Sequence, residues 1–484
     1  MLAAMPPTPP STSEPGEARI RDRGDACPGA LRLHPADDGR LARLRLPGGR
    51  LTVRQSEALA LAAETLGDGR ISITSRGNAE LRGLADDCGT RLAALLDDAG
   101  LLPSPGHERV RNIVASPAAD LTGLGHGPAQ LWARELDSLL CAQPWTTALS
   151  GRFLFVLDAG RGDVAGLGGD VTLIAVGADA GGAGPAGAGA ALLFVGEECF
   201  RVAGEDAARA ALAGAEAFLA AAREAGNGAW RVRELPPGAA LDVAGALARA
   251  GIAAEPVPDA RLPQHGAPPA PGVLGATGLY VLAPLGRLTA AQLRALADGA
   301  EELRLTPWRG VVAVGAVGAV GAVGAVGADH RSADAPHGQP HGQTDDPARQ
   351  SADAPHGQPH GQTDDPAHRP ADAPHGHRAG LSARLDALRA LGLVTSPRAP
   401  LAGVTACTGR PGCGKALADV RADAGDAPAG GLPVHYSGCE RRCGHPHGAW
   451  VDVLAVEGGG YLVDGAPTPR TSLTEAVATA RTTR

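Results

Sequence analysis

Four of the eight cysteines stand in two short stretches near the C-terminus, "ACTGRPGCGK" at 406–415 and "GCERRCGHP" at 438–446. Cys407 and Cys413 enclose five residues, Cys439 and Cys443 enclose three, and 25 residues separate the pairs. Zinc knuckles use shorter arms on both sides. Four thiolates around a larger iron–sulfur cubane tolerate a C-x5-C arm. Glycines at 409, 412, 414, 438 and 444 flank the cysteines, and small residues let backbone N–H groups approach cluster sulfurs. Spacing favours a [4Fe–4S] cluster, with zinc or unliganded thiols as the alternatives. Cys88, Cys141 and Cys199 read as buried structural thiols. Cys27, in the turn-like "RGDACPGAL", suits either a packed or a ligating role.

The compartment bears on the thiols. The N-terminal "MLAAMPPTPPSTSEPGEARIR" has no basic stretch followed by an apolar one. It reads as a disordered leader over 1–22 rather than a secretory signal. No apolar run is long enough for a membrane helix, so a cytoplasmic protein with reduced thiols and no membrane partner is expected. A net charge of -8 argues against a nucleic-acid partner. Lys415 is the single lysine, so arginine carries nearly all positive charge. Aromatics are only 3% of the chain, so the core must be Ala, Val and Leu.

The elements that position the cysteines show a repeat. Residues 49–76, "GRLTVRQSEALALAAETLGDGRISITSR", resemble 286–309, "GRLTAAQLRALADGAEELRLTPWR". In each, Thr52 or Thr289 is placed as a helix N-cap, with Gln three residues later. A strand then delivers Arg76 or Arg309. Duplication explains the shared order, and the chain reads as two related halves. Further strands are expected at 41–46, 152–158, 171–176, 191–195, 278–283 and 449–456. Helices are expected at 127–142, 205–224, 239–251, 381–391 and 472–481. "GLGGD" at 166–170 lies between strands and reads as a turn, not a dinucleotide loop. Residues 316–379 form a low-complexity insertion with a 19-residue repeat and about half the histidines. A slippage-derived linker explains it better than a metal-binding tract.

Together these motifs resemble the sulfite/nitrite reductase family. "ITSRGNAELRGL" (73–84) is similar to its first arginine motif, and "RNIVASP" (111–117) to its second. "LSGRFLFVLD" (149–158) is similar to its Leu-Pro-Arg-Lys-Phe-Lys strand. The resemblance implies an α+β, internally duplicated sulfite/nitrite reductase-like architecture, with two ferredoxin-like half-domains and two larger α/β domains. The expected boundaries are 23–90, 91–235, 236–315 and 380–484, the last holding the cluster. It further implies that Arg76, Arg82, Arg111, Asn112, Arg152 and Arg309 bind a tetrapyrrole, and that Cys407, Cys413, Cys439 and Cys443 hold a [4Fe–4S] cluster beside it. An exposed, solvated charge is the plainer alternative for each arginine.

Two departures matter. Arg152 and Leu154 stand where the reductases carry two anion-binding lysines, and His445-Pro446 follows the fourth cysteine. With the opening "RGDACPGALRL", these features resemble the oxygen-dependent branch of the family in aerobic cobalamin synthesis. That branch implies hydroxylation of precorrin-3A at C20 with lactone formation, using O2 and a reductant (NADH or an electron-transfer protein). It also implies a mononuclear non-haem iron, for which His445 is a candidate; a packed histidine is the alternative. His447 reads as a surface residue. A sirohaem-dependent sulfite or nitrite reductase is the competing expectation.

Overall fold

The computed structural model describes residues 25, 27–177, 189–263, 266–316, 373–425 and 430–482. One compact unit spans 1–320 with 377–484; a second, 321–376, lies outside the described residues except for the start of one helix. The expected leader, and the insertion over 317–372, also lie outside them; Ala316, expected to open the insertion, is buried in the half-domain core. No helix among the described residues is long and apolar enough to cross a membrane.

The first half-domain comprises β1 (His34–Ala36), β2 (Gly39–Leu44), β3 (Arg50–Thr52), α1 (Val53–Leu66), β4 (Arg70–Ile73), β5 (Ala79–Leu84) and α2 (Gly89–Asp98). A larger α/β domain follows. It contains β6 (Ile113–Ala115), α3 (Ala119–Thr122), α4 (Ala129–Ala142), β7 (Phe155–Asp158), β8 (Val171–Val176), β9 (Ala190–Val195), β10 (Glu198–Ala203), α5 (Ala207–Ala225), α6 (Val243–Arg249) and β11 (Ala254–Pro256). The second half-domain has β12 (Gly272–Leu274), β13 (Gly278–Leu282), β14 (Arg287–Thr289), α7 (Ala290–Ala297), β15 (Glu302–Leu305), β16 (Gly310–Val314) and α8 (Ala373–Ala390). The last domain has β17 (Val404–Ala406), α9 (Val420–Asp423), β18 (Val434–Ser437), β19 (Val451–Ala455), β20 (Tyr461–Val463), β21 (Ala466–Thr468) and α10 (Leu473–Thr482).

The duplication is visible as a reciprocal strand exchange. β3 of the first half pairs with β15 of the second, placing Leu51 opposite Leu303. In return, β14 pairs with β4, placing Leu288 opposite Ile71. Each exchanged strand leads into a helix closed by the same capping box: Thr52 with Gln55 on α1, Thr289 with Gln292 on α7. Leu59, Ala60 and Ala63 of α1 share one core with Leu293, Leu296 and Ala297 of α7. Neither half is a separable unit, because each lacks an edge strand without the other.

The structure corrects several boundaries. α2 crosses the one expected at 90/91, since its Leu92 and Leu96 join the half-domain core. The strand expected at 152–158 starts only at Phe155. The Phe153 amide turns back to Ser150 O at 2.9 Å, and the Leu154 amide donates to the Asp170 carboxylate at 2.8 Å. α8 begins at Ala373, inside the segment expected to be insertion as far as 379.

One correspondence in the repeat also changes. Thr74 N donates to Asn78 O, and Gly77 N to Thr74 O. The second half repeats this turn as Thr306 N to Gly310 O and Arg309 N to Thr306 O. Arg309, at φ +62°, therefore stands where Gly77 stands at φ +68°, and Trp308 takes the place of Arg76. A non-glycine residue in this left-handed region costs about 1 kcal/mol, which the contacts of Arg309 must offset.

The two α/β domains match as well. β6, β7 and β8 run parallel, as do β17, β18 and β19. Antiparallel strands then complete each sheet. Ser116 follows β6 as Cys407 follows β17.

Candidate active site

Adjacent parallel strands open their loops at the same sheet edge. Cys407 follows β17 directly, and Cys439 comes two residues after β18. Gly438 N donates to Cys407 Sγ at 3.2 Å. A side chain at Gly438 would strike Ala416. Burial raises the Cys443 thiol, and the neighbouring Cys407, Cys439 and Cys413 raise it further. The fold thus gathers the four cysteines into one neighbourhood.

The Cys413 loop is tied to the first half-domain. Arg82 Nη2 donates to Gly412 O at 2.6 Å, and Gly414 N donates to Asp37 Oδ2 at 2.5 Å. Arg82 is itself held bidentately by Asp38, at 2.9 and 2.8 Å.

The donor set fits an anionic cluster. Arg309 is buried and Arg421 half-buried near Cys407, and among the described residues neither forms an ion pair. Arg421 Nε has no hydrogen-bond partner. Burial first, then Arg287 and Arg309, lower the Arg421 guanidinium to about 9, with Cys407 acting the other way. Uncompensated buried cations are costly, and a cubane on four thiolates would supply the missing negative charge. His435 adds none: burial and Arg309 hold it neutral, at about 3. Its Nε2–H donates to Cys443 O at 3.1 Å. No three His, Cys, Asp or Glu side chains among the described residues form a single-ion site. A cubane differs in putting each thiolate on its own iron.

The arginines of the sequence motifs separate into two groups. Arg82 is taken up by Asp38, Glu80 and Gly412 O. Arg111 is taken up by Asp137, at 2.6 and 2.7 Å, and by Leu101 O. Asn112 accepts from Asn78 at 3.0 Å and donates to Phe153 O at 3.0 Å, fastening the half-domain to the α/β domain. Arg309 Nη2 donates to Gly444 O at 2.8 Å. These four residues build the site; Arg82, Arg111 and Asn112 are taken up by protein partners, and Arg309 holds Gly444 O through Nη2.

Arg76 and Arg152 are different. Arg76 Nη1 donates to Arg152 O at 3.3 Å, and Arg152 lies over the Trp230 ring at 5.0 Å. Burial, then Arg231, lower Arg76 to about 10. Arg45, not singled out from the sequence, belongs with them. It is 5% exposed, and its Nε and Nη1 have no hydrogen-bond partner. Burial and Arg43 lower it to about 10. The signal was available in "RLRL": alternation along an extended segment puts Arg43 and Arg45 on one face. Cys27 sits close by, its thiol raised by burial and Asp25.

Beside Cys443 opens a cleft of about 770 Å³. Its walls include Ser75, Asp163, Leu167, Trp308 and Arg309, the proline-rich 267–271 segment, and Gly444 to Gly448. Leu154 is buried in an apolar cluster with Val114, Val156 and Val164, against which Leu167 and Trp308 pack. A pocket of this size suits a large, largely apolar organic ligand. His445 also lines the cleft, stacked on Trp450 at 5.2 Å with Nδ1 at 2.8 Å from Pro446 O. Nδ1 donates there, which leaves Nε2 open, and among the described residues no three His, Cys, Asp or Glu side chains form a single-ion site around it.

Comparison with known proteins agrees with this architecture. Residues 34–98 match the "Nitrite/Sulfite reductase ferredoxin-like half domain". A precorrin-3B synthase of Sinorhizobium sp. is 40% identical over 97 residues, 20% of this chain and 21% of the relative. A ferredoxin–nitrite reductase of Synechococcus elongatus is 41% identical over 90 residues, 18% of each chain. The matches thus span about a fifth of the length of these curated relatives. The solved structure of the Mycobacterium tuberculosis NirA protein superposes with a TM-score of 0.56 at 18% identity, over 90% of this chain and 79% of that one. Residues 34–98 thus match a nitrite/sulfite reductase ferredoxin-like half domain, set in a chain with the sulfite/nitrite reductase-like fold.

Proposed function

We propose that the protein is an oxygen-dependent tetrapyrrole hydroxylase, converting precorrin-3A to precorrin-3B in aerobic cobalamin biosynthesis. The carrying observation is the cleft beside Cys443, apolar along Leu167 and Trp308. Precorrin-3A is a large ring bearing many carboxylates. Its ring suits the apolar walls; Arg45, Arg76 and Arg152 stand outside the cleft lining and would pair bidentately with carboxylates extending past it. Similarity to a precorrin-3B synthase supports the reading.

Cys407, Cys413, Cys439 and Cys443 would hold a [4Fe–4S] cluster, which supplies one-electron transfer from an external reductant. One oxygen atom enters the substrate and the other leaves as water, consuming two electrons and two protons. Arg309 fixes the Gly444 backbone beside Cys443, and the buried Leu154 side keeps water from the ring.

A sirohaem-dependent sulfite or nitrite reductase is the second reading, supported by similarity to a nitrite reductase and by Arg45, whose Nε and Nη1 have no partner. Leu154 weighs against it, because an aliphatic side chain neither binds an anion nor supplies protons. Anaerobically purified protein should be incubated with precorrin-3A, a reductant and labelled O2. One labelled oxygen in the product supports hydroxylation. Efficient sulfite or nitrite reduction, with no label in the tetrapyrrole, establishes the second reading instead.

A further inference from the structure

The first α/β domain carries, at the position matching the cysteine site, an acid pair that the proposed reaction has not yet used. Ala159 N donates to Ser116 Oγ at 2.9 Å, as Gly438 N donates to Cys407 Sγ. In place of thiols, this edge holds Asp158 and Asp163. Asp158 Oδ1 accepts from Gly160 N and Gly162 N, both at 2.8 Å; Oδ2 accepts from Val164 N at 2.9 Å and Ala165 N at 3.0 Å. A carboxylate offers about four acceptor sites, and Asp158 fills them with backbone donors. A proton held by the pair therefore belongs on Asp163. Ser116 Oγ donates to Asp163 Oδ1 at 2.6 Å.

Asp163 is also placed to use that proton. Among the described residues lining the 770 Å³ cleft, it is the only carboxylate. Burial raises its pKa to about 6; Ser116 and Arg161 lower it, while Asp158 raises it. The other ionisable groups of the cleft wall are Tyr280, Arg309, His445, His447 and Arg481. Ser116 also lies in the wall of a second cleft of about 420 Å³, whose lining includes Arg50, Asp120, Arg134 and Glu302. That gives Asp163 a polar route to solvent on the side away from the ligand.

We infer that Asp163 is the acid–base residue of the cleft, giving a proton to the bound tetrapyrrole or its oxygen co-substrate and regaining it through Ser116. This rests on the cleft being the tetrapyrrole site. Paired carboxyls in unlike environments take different protonation roles, and the arrangement of Asp158 and Asp163 is of that kind. The transfer moves one proton from the Asp163 carboxyl to the reacting group, and a solvent proton restores it.

The test uses the full chain with its iron and sulfide content verified. Asp163→Asn should bind precorrin-3A within about twofold of the wild type. Its turnover should fall by about 10²–10⁴-fold, the usual range for general acid–base catalysis. The infrared C=O band of a protonated carboxyl, titrating near pH 6 in the wild type, should vanish in this variant. Ser116→Ala, which keeps the carboxyl, should move that titration and the alkaline limb of the turnover profile, where the donor loses its proton, to higher pH. It also serves if Asp163→Asn does not fold. Normal turnover and an unchanged pH profile in Asp163→Asn, or an unmoved titration in Ser116→Ala, overturn the assignment of Asp163. If wild-type protein fails to bind precorrin-3A at all, the underlying reading of the cleft fails, and the inference falls with it.

Discussion

Arg309 of the second half-domain donates through Nη2 to Gly444 O at 2.8 Å, one residue beyond the fourth cysteine. The contact joins the two halves of the site. A side chain at Gly444, which sits at φ +81°, would collide with that guanidinium. Both residues occupy left-handed backbone, and they do so facing each other.

Gly444→Ala should therefore disturb the site more than its size implies. The expected result is reduced iron and sulfide per chain, with a stability loss of about 1–3 kcal/mol from backbone strain. Chemical analysis and denaturant unfolding measure the two effects. Full cluster content at unchanged stability would show that this contact does not shape the site.

The cysteine assignment separates cleanly from the other thiols. Cys413→Ser and Cys439→Ser should each lose or destabilise the cluster. Cys199→Ser, in the α/β domain core at β10, should leave iron and sulfide unchanged. Persistence of four irons and four sulfides in both ligand variants would refute the assignment.

Arg45 and Arg111 should fail in different ways. Arg45 has two unpartnered guanidinium nitrogens, so Arg45→Met should leave stability nearly intact and weaken tetrapyrrole binding by about 2–5 kcal/mol. Arg111 is paired with Asp137, so Arg111→Met should cost about 3 kcal/mol of stability. Ligand titration and urea unfolding of both variants distinguish the roles.

Acid should loosen the joint between the halves. Glu302 of β15 receives Arg50 from the exchanged strand β3, and Arg304 at 2.7 Å. Burial raises the Glu302 pKa, but Arg50 and Arg304 outweigh it and the carboxyl lies below its ordinary value. The stability it contributes is present above about pH 4.3, the unfolded value, and is lost as pH falls through the lower folded value. Glu302→Gln should be less stable than wild type at pH 7, with the difference shrinking below pH 4. An equal difference at both pH values would mean that the ion pairs contribute nothing.

The low-complexity tract should be dispensable if cut where the helix begins. Replacing residues 317–372 with a short Gly/Ser linker should change stability by no more than about 1 kcal/mol, since loop length enters only logarithmically. A cut extended to 379 removes the first seven residues of α8 and should cost more. Thermal unfolding of the two variants tests the boundary.

Local pattern determined much of this protein. The cysteine spacing, the two Thr–Gln capping boxes and the repeated helix–strand units follow from short-range chemistry, because caps and periodicity act within a few residues. The family resemblance likewise rested on contiguous motifs. What sequence could not decide was partnership between distant segments. It could not show that β3 and β14 exchange halves, because either strand satisfies the same local pattern in its own sheet. Nor could it tell Arg82 and Arg111, neutralised by Asp38 and Asp137, from Arg45, which is not. It aligned Arg309 with Arg76, whereas the turn hydrogen bonds align it with Gly77. Whether a buried charge is compensated depends on side chains scores of residues away, and only tertiary packing brings them within reach.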